Sequence, residues 1–127
     1  MIDQEAHDLA VAAAQVADAH HAKDVVVLHV GDVVALTEYF VIAEASNKRL
    51  VGAVVGEVEA QLKVLLERAP IRVEGMRENQ WVLIDYGDVI VHVFLSEIRD
   101  FYEIERLYTD VPKIEWNDVA DASAAAD

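Results

Sequence analysis

Trp81-Val82-Leu83-Ile84-Asp85-Tyr86-Gly87-Asp88-Val89-Ile90-Val91-His92-Val93-Phe94-Leu95 is the stretch on which the fold turns. Two runs rich in β-branched and aromatic residues flank a break that contains glycine, the pattern of a β-hairpin. Just upstream, Ile71-Arg72-Val73-Glu74-Gly75 alternates as a short, edge-like strand. Farther back, Val25-Val26-Val27-Leu28-His29-Val30 is a continuous apolar run ending at Gly31, as in a strand buried on both faces. Another strand is expected from Leu36 to Ala43, and the short Gly31-Asp32 turn makes an antiparallel pair the economical arrangement.

Helices fill the gaps between these strands. Residues 3–22 are Ala-rich, with Leu9, Ala12, Ala13, Val16 and Ala17 at helical spacing. Ser46 or Asn47 caps a long helix whose apolar stripe is Val51, Val54, Val55, Val58, Leu62, Leu65 and Leu66. It is expected to stop at Ala69-Pro70, because proline lacks a donor and restricts its predecessor. Ser96-Glu97 opens a last helix carrying Ile98, Phe101, Tyr102, Ile104 and Leu107, with Pro112 marking its end. The order α-β-β-α-β-β-β-α predicts an α/β fold with a single mixed β-sheet flanked by helices. Residues 1–112 form the domain; residues 113–127 read as an acidic, Ala/Asp-rich flexible tail.

Composition narrows the function classes. At 127 residues, 54% of them hydrophobic, the chain can bury one core. It has no cysteine, so thiolate nucleophiles, thiolate metal sites and disulfides are excluded, in keeping with a reducing cytoplasm. The N-terminus lacks the pattern of a secretory signal, and no apolar run approaches membrane-spanning length. A formal charge of −14, from 24 acidic and 10 basic residues, disfavours extensive nucleic-acid or membrane contact and favours a basic protein partner.

Candidate chemistry is sparse. Asp85 and Asp88 flank the hairpin turn and could hold a metal or share a proton, but three-residue spacing across a turn does not make them converge. Turn N–H groups are their ordinary partners. His92 and His29 sit on apolar strand faces, where a hydrogen-bonded core histidine is the usual outcome; His20 and His21 point apart on a helix. Gly52 and Gly56 leave room for close approach by the sheet or another helix. Walker, GxGxxG, GxSxG and HExxH motifs are absent, so no cofactor or reaction is indicated. Trp81, Tyr86, Phe101, Tyr102 and Tyr108 concentrate aromatic surface in the C-terminal half. Such rings anchor protein interfaces, although Phe101 is expected in the core.

The run from Trp81 to Phe94 resembles the Iojap/ribosomal silencing factor family, as do Val73-Glu74-Gly75 before it and Arg99-Asp100-Phe101-Tyr102-Glu103-Ile104-Glu105-Arg106-Leu107 after it. Tyr39-Phe40-Val41-Ile42-Ala43 and Ser46-Asn47-Lys48-Arg49-Leu50-Val51 match its earlier block. The likeness covers about residues 10–108. It implies a nucleotidyltransferase-like topology without that activity, and no cofactor. It also implies a translation repressor in the cytoplasm that binds the large ribosomal subunit at ribosomal protein L-fourteen and keeps the small subunit from joining. A homodimer is implied as well. The motif positions carried over as partner-binding are Trp81, Asp85, Tyr86, Asp88, His92, Arg99 and Tyr102. Trp81 and Tyr102 would supply apolar contact, Asp85 and Asp88 would meet basic groups, and His92 and Arg99 would brace the surface from behind. Glu38 and Tyr108 depart from the usual Asp and Trp of the family, and residues after Pro112 lie outside the resemblance. Two other readings stand beside it: a divergent metal-dependent nucleotidyltransferase using Asp85 and Asp88, and a dimeric adaptor for another basic protein.

Overall fold

The computed structural model describes residues 4–117. Its elements are α1 (Gln4–Ala19), β1 (Lys23–His29), β2 (Tyr39–Ala45), α2 (Lys48–Leu66), β3 (Arg72–Glu74), β4 (Trp81–Asp85), β5 (Val89–Leu95) and α3 (Ser96–Tyr102). A 3₁₀ helix, Ile104–Tyr108, follows. The strands form one mixed five-stranded sheet in the order β1-β2-β5-β4-β3, as the α/β reading expects. β1 and β2 are antiparallel, and so are β4 and β5, the expected hairpin. β2 runs parallel to β5.

α1 and α2 cover one face. Val51, Val54, Val55, Val58 and Leu62 of α2 are fully buried against it, each contributing roughly 1.5–3 kcal/mol. Asn47 supplies the N-cap, its side-chain oxygen accepting the Leu50 N–H at 2.8 Å. α2 ends at Leu66, before the expected Ala69-Pro70, because Glu67 adopts a left-handed conformation (φ 55°). Arg68 is thereby turned to bond the hairpin: it reaches Asp88 Oδ1 at 2.8 Å and the Tyr86 carbonyl at 3.1 Å.

Several expectations are corrected. The β1–β2 link is not a tight turn at Gly31-Asp32; the Val33 and Val34 N–H groups bond the Val30 carbonyl, coiling residues 30–34 and delaying β2 to Tyr39. Neither glycine of α2 admits a helix or the sheet. Gly56 opens on empty space, and Gly52 leaves room for the Asn79 side chain, which donates to the Lys48 carbonyl at 3.2 Å. The last helix is not continuous to Leu107. Glu103 takes a left-handed conformation (φ 45°), which ends α3 and turns Ile104 and Tyr108 onto the second face of the sheet.

The packed unit also runs past the expected boundary at Pro112. Leu28 bridges Lys113, the Ile114 N–H bonds the Val27 carbonyl at 2.8 Å, and the Trp116 indole N–H bonds the Val25 carbonyl at 3.0 Å. These contacts cover the outer edge of β1, which explains how so apolar a strand can stand at a sheet edge. The rest of the expected tail, from Asp118 on, lies outside the described residues.

Arg99 pins α3 to the sheet. It is 6% exposed, and its guanidinium bonds Glu44 at 3.2 Å, Glu105 at 2.9 Å and the Asp24 carbonyl at 2.7 Å. Removing one member of a buried ion pair strands the other charge. Arg99→Ala is therefore expected to cost about 3–5 kcal/mol in urea unfolding, the usual range for such a loss.

Candidate functional site

Strand periodicity gathers the site. In the β4–β5 register Trp81 faces Phe94, Leu83 faces His92 and Asp85 faces Ile90; in β2–β5, Phe40 faces Ile90 and Ile42 faces His92. All of these side chains project on the face away from α1 and α2. Phe40, Ile42 and Phe94 are buried there beneath Ile98, Ile104 and Tyr108. α3 is short, so cover fails towards β4. Trp81 is left half-buried, with its indole stacked on Phe94 (centroids 4.8 Å apart) and against Tyr102 (5.3 Å). Tyr102 is 53% exposed and Phe101, in edge contact with it at 5.0 Å, is 78% exposed.

His92 fixes the indole from behind. Trp81 Nε1 donates to His92 Nδ1 at 3.1 Å, and since indole is a donor only, the imidazole proton belongs on Nε2. Burial lowers the His92 pKa to about 4, so the ring is neutral near pH 7 and keeps its acceptor.

The structure sorts the seven sequence-chosen residues unevenly. Trp81, His92 and Tyr102 come together, and Arg99 braces α3 behind them. Asp85 lies on the same face, where its Oδ1 accepts the Gly87 N–H at 2.8 Å and its Oδ2 meets Arg72 at 3.2 Å. Asp88 is bound by Arg68. Each carboxylate is thus engaged by an arginine within the chain. Tyr86 belongs to the opposite core, among the residues packed under α1 and α2, at 3% exposure. Burial pushes its phenol up to about 12. Phe101, expected in the core, is instead the most exposed ring of the patch. Arg72 stands opposite Asp85 in the β3–β4 register, whereas Arg68 is brought to Asp88 only by the left-handed turn at Glu67.

A family model described as ribosomal silencing factor during starvation (RsfS) matches residues 3–127. The chain belongs to this family. The match takes in the segment after Pro112 that the sequence reading had left outside. A ribosomal silencing factor RsfS of Halalkalibacterium halodurans is 36% identical over 117 residues, covering 91% of this chain and 95% of that protein. A mouse protein named mitochondrial assembly of ribosomal large subunit protein 1 is 32% identical over 70% of this chain and 40% of its own length. Among solved structures, a crystal structure of a Chromobacterium violaceum protein has a TM-score of 0.73 and 33% identity, covering 84% of this chain and 86% of that one. Family members carry names of ribosome regulation. Among the described residues, no helix is long and apolar enough to cross a membrane.

Two outcomes are expected from this geometry. The His92 pKa is depressed on folding, so the unfolded chain takes up its proton first as pH falls. This group's contribution to stability is full above about pH 6.5 and shrinks towards pH 4, a change of about 3 kcal/mol. His92→Phe should flatten that part of the profile when urea midpoints are compared across the interval. The Tyr86 hydroxyl is buried without a hydrogen-bond partner among the described residues. Tyr86→Phe should therefore leave stability unchanged or raise it by up to about 1 kcal/mol in the same assay.

Proposed function

We propose that this chain binds the large ribosomal subunit through ribosomal protein L-fourteen and, by occupying that surface, blocks joining of the small subunit and represses translation. It acts in the cytoplasm, by binding and not by catalysis. The observation that carries this reading is the half-exposed patch of Trp81, Phe101 and Tyr102 in a chain of the ribosomal silencing factor family. Rigid, amphipathic rings of this kind dominate protein interfaces because they bury much area for few rotors. The mouse relative's name speaks of the large subunit, which supports the choice of subunit. The net charge of −14 favours a basic protein over bare RNA as the contacted component.

In this reading Trp81 is the anchor, His92 sets its orientation, and Arg99 holds α3 so that Tyr102 lies against it. Asp85 and Asp88 shape the hairpin through Arg72 and Arg68; their contribution to a partner is indirect.

The test is sedimentation of the purified protein with separated large and small subunits. The protein should pellet with the large subunit alone, and more weakly as salt rises, because attraction between exposed charges is screened. Trp81→Ala should weaken that association by about tenfold or more, the scale of an interface hot spot. Absence from both pellets would sink the proposal.

A further inference from the structure

Beside the aromatic patch is a cleft whose rim carries an acid with no role in the contacts described so far. Gly75, Glu78, Gln80, Trp81, Ile98 and Tyr102 line a depression of about 210 Å³. Small-molecule pockets usually start at on the order of 300 Å³, so this volume suits a single side chain better. Two of its walls are aromatic rings tilted 45° to each other. The indole N–H of Trp81 is engaged by His92, so Trp81 offers the cleft ring surface and no donor. The β3–β4 connection folds back closely on Trp81: Gly75 has φ 93°, and a Cβ there would collide with the Trp81 carbonyl. That tight return brings Glu78 to the rim.

Glu78 is the one carboxylate among the residues that line the cleft. Asp85 and Glu74 are paired with Arg72, Asp88 with Arg68, and Glu44 and Glu105 with Arg99. Glu78 is exposed and has no ion pair or hydrogen bond among the described residues. Neighbouring Arg77 does not line the cleft. Aromatic faces attract cations through their quadrupole, and a free carboxylate adds a directional acceptor. An apolar occupant would desolvate Glu78 and Gln80 without giving either a partner. Among cations, the planar and weakly hydrated guanidinium fits better than ammonium, since it can stack on a ring and bond a carboxylate together.

We propose that this cleft is a socket for one arginine side chain of the protein partner, stacked on Trp81 and Tyr102 and paired with Glu78. The proposal rests on the partner-binding reading above and names the chemistry that the face selects.

The test begins without ribosomes. The Trp81 indole N–H resonance, assigned by its loss in Trp81→Phe, is followed during titration with N-acetylarginine amide and, in parallel, N-acetylnorleucine amide. The arginine amide should shift it with clear preference over norleucine, and Glu78→Gln should weaken the response about twofold to fivefold. Equal responses to the two amides, no response to arginine, or an unchanged Glu78→Gln would overturn the socket. Sedimentation then separates the two ideas. Glu78→Gln should weaken large-subunit association about twofold to fivefold and reduce its salt dependence, and Glu78→Lys should weaken it further. If the native protein ignores large subunits yet keeps its arginine preference, the ribosome reading fails and the socket stands. If subunits bind and neither Glu78 variant matters, the reading stands and the socket falls.

Discussion

The parallel pairing of β2 with β5 is the constraint from which the rest of the molecule follows. Seven register pairs, from Tyr39↔Val89 to Ala45↔Leu95, lay the two strands side by side in the same direction. Parallel neighbours cannot be joined by a tight turn, so the chain between them must travel the length of the sheet and return. That return accommodates α2, β3 and β4, and it makes β5 an interior strand with hydrogen-bonded neighbours on both sides. An interior strand needs apolar cover above and below. Val89, Val91 and Val93 find it under α1 and α2, while His92 and Phe94 need it on the other side.

That other side is covered by much less material. α3 and the 3₁₀ helix reach over β1, β2 and β5, and the left-handed Glu103 is what lets them do so. A straight helix would have carried Ile104 and Tyr108 off the sheet in α3's direction. The turn brings them down over Phe40, whose ring meets Tyr108 edge-on at 5.3 Å. The cost of ending α3 early is that β4 keeps only partial cover. Trp81 is the residue left at that boundary, packed on one side by Phe94 and open on the other. The candidate interface is therefore the uncovered remainder of a core layer, which explains why it is aromatic. The Trp81 indole is held by His92 and Phe94, and a side chain held before binding loses less entropy when a partner arrives.

How much of this was legible in the sequence depends on the distance over which the signal acts. The hairpin, the Asn47 cap and the α2 stripe as far as Leu62 are written in neighbouring residues, and the structure contains all three; Leu65 and Leu66, expected on the same stripe, are exposed instead. The parallel partner of β2 is not local. Neither is the reach of Arg99 from α3 to Glu44 and Asp24, which crosses 55 and 75 residues of chain. Phe101 was misread because an aromatic among Ile98, Ile104 and Leu107 looks like part of a core stripe, and only the break at Glu103 reveals that the stripe does not continue. Residues 113–116 were misread although Lys113-Ile114-Glu115-Trp116 alternates polar and apolar as an edge strand does; so short a run does not say which strand it lies on, and its value lies in edge hydrogen bonds to β1. For the site, resemblance picked out a motif but could not separate contact from scaffold. Trp81 is half-buried and Tyr102 exposed, whereas Tyr86 is a core residue of the helix-covered face.

The same separation changes how the chain's charge acts. Four of the ten basic residues, Arg68, Arg72, Arg99 and Arg106, are held in ion pairs with carboxylates of the chain itself. Those pairs cancel locally and contribute little to the field at a distance, so attraction of a basic partner rests on the acids left unpaired. Asp85 illustrates the consequence. Its carboxylate holds Arg72, and neutralising it would leave that cation only its looser contact with Glu74 at 3.4 Å. A weakened association in an Asp85 variant would then report a freed arginine and a loosened hairpin turn, not a lost contact. In the proposed binding mode charge steers the encounter over a Debye length, about 8–10 Å, the aromatic patch supplies the close contact, and the paired aspartates hold the hairpin beneath it.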